Sequence, residues 1–371
     1  MSETRGLKLL STLAEDGRLT VELVEDALPA PTGDQVLVRI EAAPINPSDL
    51  GLLFGPADVA SAEYSPRRIV AQMPEPAVRA MAARIGQSLG VGNEASGTVI
   101  AAGDGPAARA LMGKRVTMIG GDMYAQYRLI HASGCMALPD HVTAEQGASA
   151  FVNPMTALGF VETAKAGGHK AIVHTAAASN LGQMLVRVTQ VDGLGLVNIV
   201  RSAEQVALLR DIGAEHVVNS SDTDFHARLE DAIAATGATV AFDAIGGGSL
   251  VSHILHAMEK VASRGAAYSR YGSSTPKHAY VYGSLDMGPT ILTRSFGFTW
   301  DVSGWLLPPF LQKAGAQTAE RMRQRVRDNL TTLFASHYKE RLSLEEALGR
   351  DAVLAYNARR TGEKYLILPN G

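Results

Sequence analysis

From about Gly168 onward the sequence alternates short apolar, β-branched runs with stretches of helical period, and this alternation constrains the fold more than any other feature. The apolar runs are KAIVHT (170–175), LVNIVR (196–201), HVV (216–218), TVAFD (239–243) and AYVY (279–282). Between them lie predicted helices over 181–191, 203–212 (closed by Gly213), 222–236 and about 250–261. A continuous apolar run is buried on both faces, and a helix between two such runs is the crossover that joins parallel strands. The pattern predicts an α/β domain with a doubly wound, Rossmann-type parallel sheet.

The residues before it have a different texture. Runs such as QVLVRIE (35–41) and GKRVTMI (113–119), bounded by Gly, Pro, Asn and Asp, read as a mostly β domain. A chain of 371 residues exceeds what one core serves, so two domains are expected. We expect residues 1–150 and a returning tail, 313–371, to form the β domain around an inserted nucleotide-binding domain, 151–312. Alanine, arginine and methionine at helical spacing over 75–89 predict a helix within an insertion at 56–90, whose role the sequence leaves open. A charged amphipathic helix follows Phe310, then a final strand over 363–368. A strand over 295–300 is expected at the sheet edge, and covering that edge suggests a homodimer.

Charge argues against one class of partner. Thirty-four basic residues against 37 acidic ones give a net charge of −3, so no nucleic-acid partner is expected. The one basic run, Arg321, Arg323, Arg325 and Arg327, lies between Glu320 and Asp328 and reads as a solvated helix face. No apolar run reaches membrane-spanning length and MSETRGLKLL lacks signal-peptide character, so the expected location is the cytoplasm. The single cysteine, Cys135, permits no intrachain disulfide and reads as a core residue.

The candidate ligand loop follows the first strand of the alternation. AIVHT runs into AAASNLG, whose small residues (Ala176, Ala177, Ala178, Ser179) permit close backbone approach, while Gly182 lets the next helix pack on the strand. Alone, this segment also fits an ordinary strand-to-helix turn. The second strand, some twenty residues on, ends in Arg201 and Ser202, where a dinucleotide fold places an acidic residue for NAD; an arginine there suits the 2′-phosphate of NADPH.

Several segments in the same order as in a known family extend the reading over nearly the whole chain. QVLVRIEAAPINPSD, GNEASG, MGKRVTM, AAASNLG (with Ser179 for a middle glycine), FDAIGG and TGEKYLIL resemble the quinone oxidoreductase branch of the medium-chain dehydrogenase/reductase superfamily, with a GroES-like substrate domain. INPSD, VNPMTA, VYGSL and SFGFTW are most similar to the mitochondrial-type 2-enoyl thioester reductases. The resemblance implies cofactor contacts at Asn46, Asn153 and Thr156, at Ser179, Asn180 and Leu181 for the pyrophosphate, and at Arg201 and Ser202 for the adenosine phosphate. It implies contacts beside the nicotinamide from Tyr282, Gly283, Ser284 and Leu285 and from Phe298, Thr299 and Trp300, with Lys364 close by. For Phe298 and Trp300, aromatic packing of a sheet edge is an equal alternative.

Two departures bear on chemistry. Those enoyl reductases carry a tyrosine proton donor where this chain has Ala57, leaving Tyr64 and Tyr124 as substitute donors or as structural residues. Zinc-using members place Cys and His around an ion where this chain has Asn46, Asn93 and, nearby, Asn153, and neutral amides are poor zinc ligands. No metal is therefore expected. Without a Lewis acid, a conjugated acceptor is easier to reduce than a simple carbonyl, because hydride added at the β-carbon sends charge to an oxygen that hydrogen-bond donors such as Asn46 and Ser48 stabilise. As plain sequence, Asn46–Asp49 also reads as a turn.

These features point to a zinc-independent, NADPH-dependent reductase of quinones or α,β-unsaturated carbonyl compounds. A 2-enoyl thioester reductase is the alternative, with Arg67 and Arg68 to meet a phosphopantetheine arm. An NADPH-binding redox sensor or structural protein with little catalysis is the reading from another class.

Overall fold

The computed structural model describes residues 3–371, and the chain divides into two compact units, one running to Val152 and resuming at Arg325, the other Asn153–Gln324. The helix Ala316–Asp328 carries the second boundary. The helix before it, Leu307–Ala314, stays with the second unit because Phe310 stacks on Trp305, and Arg321 pairs with Glu162 at 2.8 Å.

The first unit is built on antiparallel pairing. One five-stranded sheet has Thr4–Leu13 and Arg18–Leu28 at its centre; one seven-stranded sheet has Gln35–Pro44 and Glu94–Ala102. Alternation sets which face is buried: Leu19, Val21 and Leu23 point inward from Arg18–Leu28 while their neighbours meet solvent. The tail returns to this unit, with Leu366 opposite Pro44 and Ile367 opposite Ala43. The insertion is less helical than expected. Only Glu75–Ala80 is α-helix, a short 3-10 turn covers Ala82–Arg84, and Ser88–Gly90 is a strand paired with the strand Thr4–Leu13. Gly86, at φ +77°, takes the left-handed turn between them.

The second unit holds a six-stranded, all-parallel sheet. Its strands are β1 (Ala171–His174), β2 (Gly195–Val200), β3 (His216–Asn219), β4 (Val240–Asp243), β5 (Lys277–Val281) and β6 (Trp300–Gly304). The crossover helices are α1 (Asn180–Asp192), α2 (Ala203–Asp211), α3 (Phe225–Thr236) and α4 (Leu250–Ala262). Spatial order is β3-β2-β1-β4-β5-β6, so the winding reverses between β1 and β4, and ligands of such sheets lie at the carboxyl ends flanking that reversal. The edge strand begins at Trp300, later than expected: Gly297, at φ +69°, turns the chain first, and only from Trp300, opposite Lys277, does pairing start.

Candidate nucleotide-binding edge and buried charge cluster

The turn after β1 is shaped for close approach. Ala176 adopts φ +49°, a left-handed conformation costly for a residue with a Cβ. Ser179 caps α1 by accepting from the Gly182 amide at 3.2 Å, leaving the helix amino terminus as a source of N–H groups and positive dipole. A Cβ on Gly182 would stand 2.0 Å from the Ala177 carbonyl oxygen, so only glycine lets α1 sit this close.

Asp243, buried at the end of β4, ties this turn to the next. Its carboxylate accepts from the Thr175 hydroxyl at 2.6 Å and from the Ile245 and Gly246 amides, while the Ala244 amide donates back to Thr175 Oγ1. The segment after β5 lies along the same strand end: the Tyr282 amide donates to the Asp243 carbonyl and the Leu285 amide to the Ala244 carbonyl. Gly283 passes so near Ala244 that a Cβ would meet its oxygen at 2.5 Å. Tyr282 bonds His174 Nε2 through its hydroxyl at 2.8 Å. His174 is fully buried, and burial pushes its imidazole down to about 3, so it is neutral at pH 7.

An aromatic floor lies below. Phe160 stacks on Phe242 at 4.0 Å and meets Tyr282 and Trp305 edge-on, and the Trp305 indole N–H donates to Thr163. Gly159 makes this possible, since a Cβ there would strike the Trp305 ring at 2.7 Å. An open recess of about 370 Å³ lies between Tyr282–Ser284 and Gly304–Leu306.

At the end of β2 the Arg201 amide is bonded to Gln205, and its carbonyl accepts from Ser221. Its side chain is exposed, and the guanidinium has no hydrogen bond or ion pair among the described residues. Ser202 instead caps α2 through the Gln205 amide.

The first unit holds a buried polar cluster. Asp49 accepts from the Asn46 amide (2.7 Å), the Asn93 amide (2.9 Å) and the Tyr124 hydroxyl (2.9 Å), holding together the two turns that carry Asn46 and Asn93. Burial raises its carboxyl to about 6 against those three bonds. Glu94 accepts from the Asn46 side chain through one oxygen, and from the Phe151 and Val152 amides at a helix start through the other. Burial raises Glu94 too, with Lys364 opposing the shift. The Lys364 Nζ is buried without a hydrogen-bond partner among the described residues, 6.0 Å from the Tyr338 ring centre.

Residues 180–269 match a family model described as zinc-binding dehydrogenase. A putative NADPH:quinone reductase of Mesorhizobium loti is 26 % identical, with TM-score 0.74 over 98 % of both chains. The Escherichia coli quinone oxidoreductase, solved as its NADPH complex, superposes with TM-score 0.68 over 99 % of this chain and 100 % of that one at 18 % identity. The bovine mitochondrial enoyl-[acyl-carrier-protein] reductase is 26 % identical over 223 residues, 56 % of this chain and 51 % of that protein. The chain thus spans about half the length of that curated relative, and only 6 % of the highly reducing polyketide synthases it also matches. The chain is thus similar in fold and in sequence to the quinone oxidoreductase branch of the medium-chain dehydrogenase/reductase superfamily. The zinc-binding description belongs to a stretch of the nucleotide half, which excludes Asn46 and Asn93.

Within this superfamily fold, most expected cofactor residues of the second unit gather on one edge of the sheet: Ser179, Asn180, Leu181, Arg201, Ser202 and Tyr282–Leu285 all follow carboxyl ends of strands. Asn153 and Thr156 lie in the first turns of the helix Val152–Ala166, Thr156 buried. Phe298, Thr299 and Trp300 do not join that edge. Trp300 pairs with Lys277, the first residue of β5, so the three sit at the amino end of β6, about 16 Å of strand from Tyr282. Phe298 is 80 % exposed and packs on Tyr271. The residues of β6 that reach the carboxyl edge are Gly304, Trp305 and Leu306, because the motif precedes the strand where the expectation had placed it inside.

The expected donors are occupied otherwise. Tyr64 donates to the Val59 carbonyl at 2.7 Å, within the insertion. Tyr124 is buried, its hydroxyl shared between Asp49 and the Pro44 carbonyl. Ala57 is packed in the core. Arg67 and Arg68 face Glu345 and Glu22 on the surface, and Cys135 is half-buried. Asn93 donates to Ser48 Oγ. Sequence reasoning missed Asp243, Thr175, His174 and Trp305; the first three stand at strand ends in FDAIGG and AIVHT, a position that would have flagged them.

Proposed function

We propose that the protein is an NADPH-dependent oxidoreductase that reduces quinones or α,β-unsaturated carbonyl compounds without a catalytic zinc ion. The observation that carries the cofactor part is Arg201, an exposed guanidinium at the end of β2 without a partner among the described residues, beside a turn only small residues can form. These residues fit the dinucleotide. Ser179, Asn180 and Leu181 hold the pyrophosphate, Arg201 and Ser202 the 2′-phosphate end, and Tyr282–Leu285 the nicotinamide end, in keeping with the NADPH named for relatives of the same fold.

Bound NADPH supplies a hydride. The chain's own contribution is to orient and to stabilise charge. The Asp243 network fixes the two turns flanking the winding reversal, and the His174–Tyr282 bond holds the segment after β5. Asn46, with one amide hydrogen on Glu94, retains another for an acceptor oxygen. The two asparagines at the positions of zinc ligands in other members favour a metal-free reaction, and hence a conjugated acceptor.

A 2-enoyl thioester reductase remains the second reading, favoured by the similarity to the bovine enoyl reductase. Ala57 and the engagement of Arg67 and Arg68 with carboxylates weigh against it. A homodimer formed through the open edge at β6 belongs to the same proposal. Stopped-flow NADPH oxidation against quinones, enones, enoyl thioesters and simple alcohols is the test. Turnover of the first two classes is expected. Turnover of alcohols alone would refute the reaction class, and tight binding without turnover would leave a sensor or structural role.

A further inference from the structure

We propose that His226 and His253 form a second, proton-gated part of the 2′-phosphate site, their cationic forms joining Arg201 in selecting NADPH over NADH. The inference rests on the NADPH reading above and lies wholly within the second unit. Strand alternation puts Arg201 on the side of these histidines. Val197 and Ile199 point from β2 into the core that packs under α3 and α4, so residue 201, two further on, leaves the strand end toward the same helices. Val200 pairs with Asn219, the Ser220 amide donates to the Val200 carbonyl at 2.7 Å, and the Ser221 hydroxyl donates to the Arg201 carbonyl at 2.9 Å. The chain leaving β3 therefore passes one strand spacing, about 4.8 Å, from Arg201.

Ser220 also begins an open recess of about 420 Å³ between the amino ends of α3 and α4, with Asp222, His226, Gly248, Ser249 and His253 along it. That volume lies in the range of small-molecule sites, about 300–1,000 Å³. The two imidazoles meet edge to face at 4.6 Å between ring centres, beside the Phe225 ring, and neither has a hydrogen-bond partner among the described residues. Other charges face the pair from each neighbouring element. Asp222, in the turn before α3, has its carboxylate held by Arg228 and by the Asn219 side chain, and Asp224 begins α3. Asp286 stands behind Gly247 with the Gly288 amide on it, and His256, one turn along α4, is bonded to Ser295. Burial, with His226 and His256 adding to it, holds the His253 imidazole below the usual histidine range, so it is neutral at pH 7 in the empty site. A phosphate dianion beside the pair opposes that shift, because an opposite charge favours the protonated form. The protonated site binds the phosphate more tightly, so affinity rises as pH falls through the imidazole range below about 6.5, and binding takes up a proton. NADH lacks the phosphate and gains little.

The test titrates NADP+ and NAD+, whose oxidised rings withstand acid, into the full chain at pH 7.5 and 5.5 by calorimetry. Unchanged protein is compared with His226→Gln, His253→Gln and the double variant. The ligand's own phosphate gains a proton near pH 6 in every protein, so the difference between proteins isolates the imidazoles. On going to the lower pH, the NADP+ to NAD+ affinity ratio should move toward NADP+ by roughly fivefold or more in unchanged protein relative to the double variant, with the single variants between. Proton uptake on binding NADP+, read in buffers of different ionisation heat, should fall in the double variant. His226→Gln alone, at an exposed position, carries the comparison if the double variant folds poorly. Identical pH courses in unchanged and variant proteins would overturn the assignment while leaving the role of Arg201 standing. Equal affinity for the two nucleotides in unchanged protein at both pH values would overturn the NADPH reading and the assignment with it.

Discussion

Gly182→Ala should separate the architecture of the nucleotide turn from general stability. The added Cβ would lie 2.0 Å from the Ala177 carbonyl oxygen, against about 3.2 Å for a tight ordinary contact, so the start of α1 must retreat by roughly 1.2 Å. Neither atom can yield alone, since one belongs to the helix and the other to the turn after β1. A retreat of that size stretches an N–H···O bond of about 2.9 Å past 4 Å, and loss of one or two such bonds to a charged phosphate costs about 1.5–3 kcal/mol each. NADPH affinity should therefore fall by at least tenfold. Gly193→Ala serves as control. Gly193 also ends α1, at φ +63°, but a Cβ there meets nothing within 4 Å, so the cost is about 1 kcal/mol of stability without loss of affinity. NADPH fluorescence titration with thermal melting of both variants is the assay. Gly182→Ala protein that binds NADPH within twofold of the unchanged chain would refute the reasoning.

Two further expectations concern stability. His174 titrates at about 3 when folded against 6.5 as a free imidazole, so the unfolded chain binds the extra proton first, and stability is lost as pH falls below 6.5. The loss should reach about 2 kcal/mol at pH 5, read by urea unfolding at the two pH values, and His174→Gln should abolish that component. Glu259→Ala should cost about 3–5 kcal/mol by stranding the buried Lys277 ammonium, 2.6 Å from the carboxylate, and Glu259→Ala with Lys277→Met should recover part of it; a single variant as stable as the unchanged chain would count against that pairing.

Strand and helix order in the second unit was legible because both faces of the central strands β1, β2 and β4 are buried, which makes their apolar runs continuous, and because Gly193, Gly213 and Gly237 mark helix ends. The position proposed to select NADPH was legible for the same reason: Arg201 follows directly from where β2 stops. What escaped was set by distant contacts. The 75–89 stretch has helical composition, yet Leu89 pairs with Ser11 across the chain, and tertiary pairing outweighs local propensity. SFGFTW was misplaced because a motif of aromatics does not reveal which end of a strand it occupies; the Lys277–Trp300 register does. Lys364 was marked only through resemblance, and its lack of a partner is a property of packing that no one-dimensional pattern carries.

The central claim, a nicotinamide dinucleotide held at the carboxyl edge with its 2′-phosphate on Arg201, is tested most directly by titrating NADPH and NADH into the unchanged protein and Arg201→Ala. The account predicts NADPH at least tenfold tighter, about 1.4 kcal/mol, in the unchanged protein, with most of the gap erased by the substitution. Equal affinities for the two cofactors in the unchanged protein would contradict it.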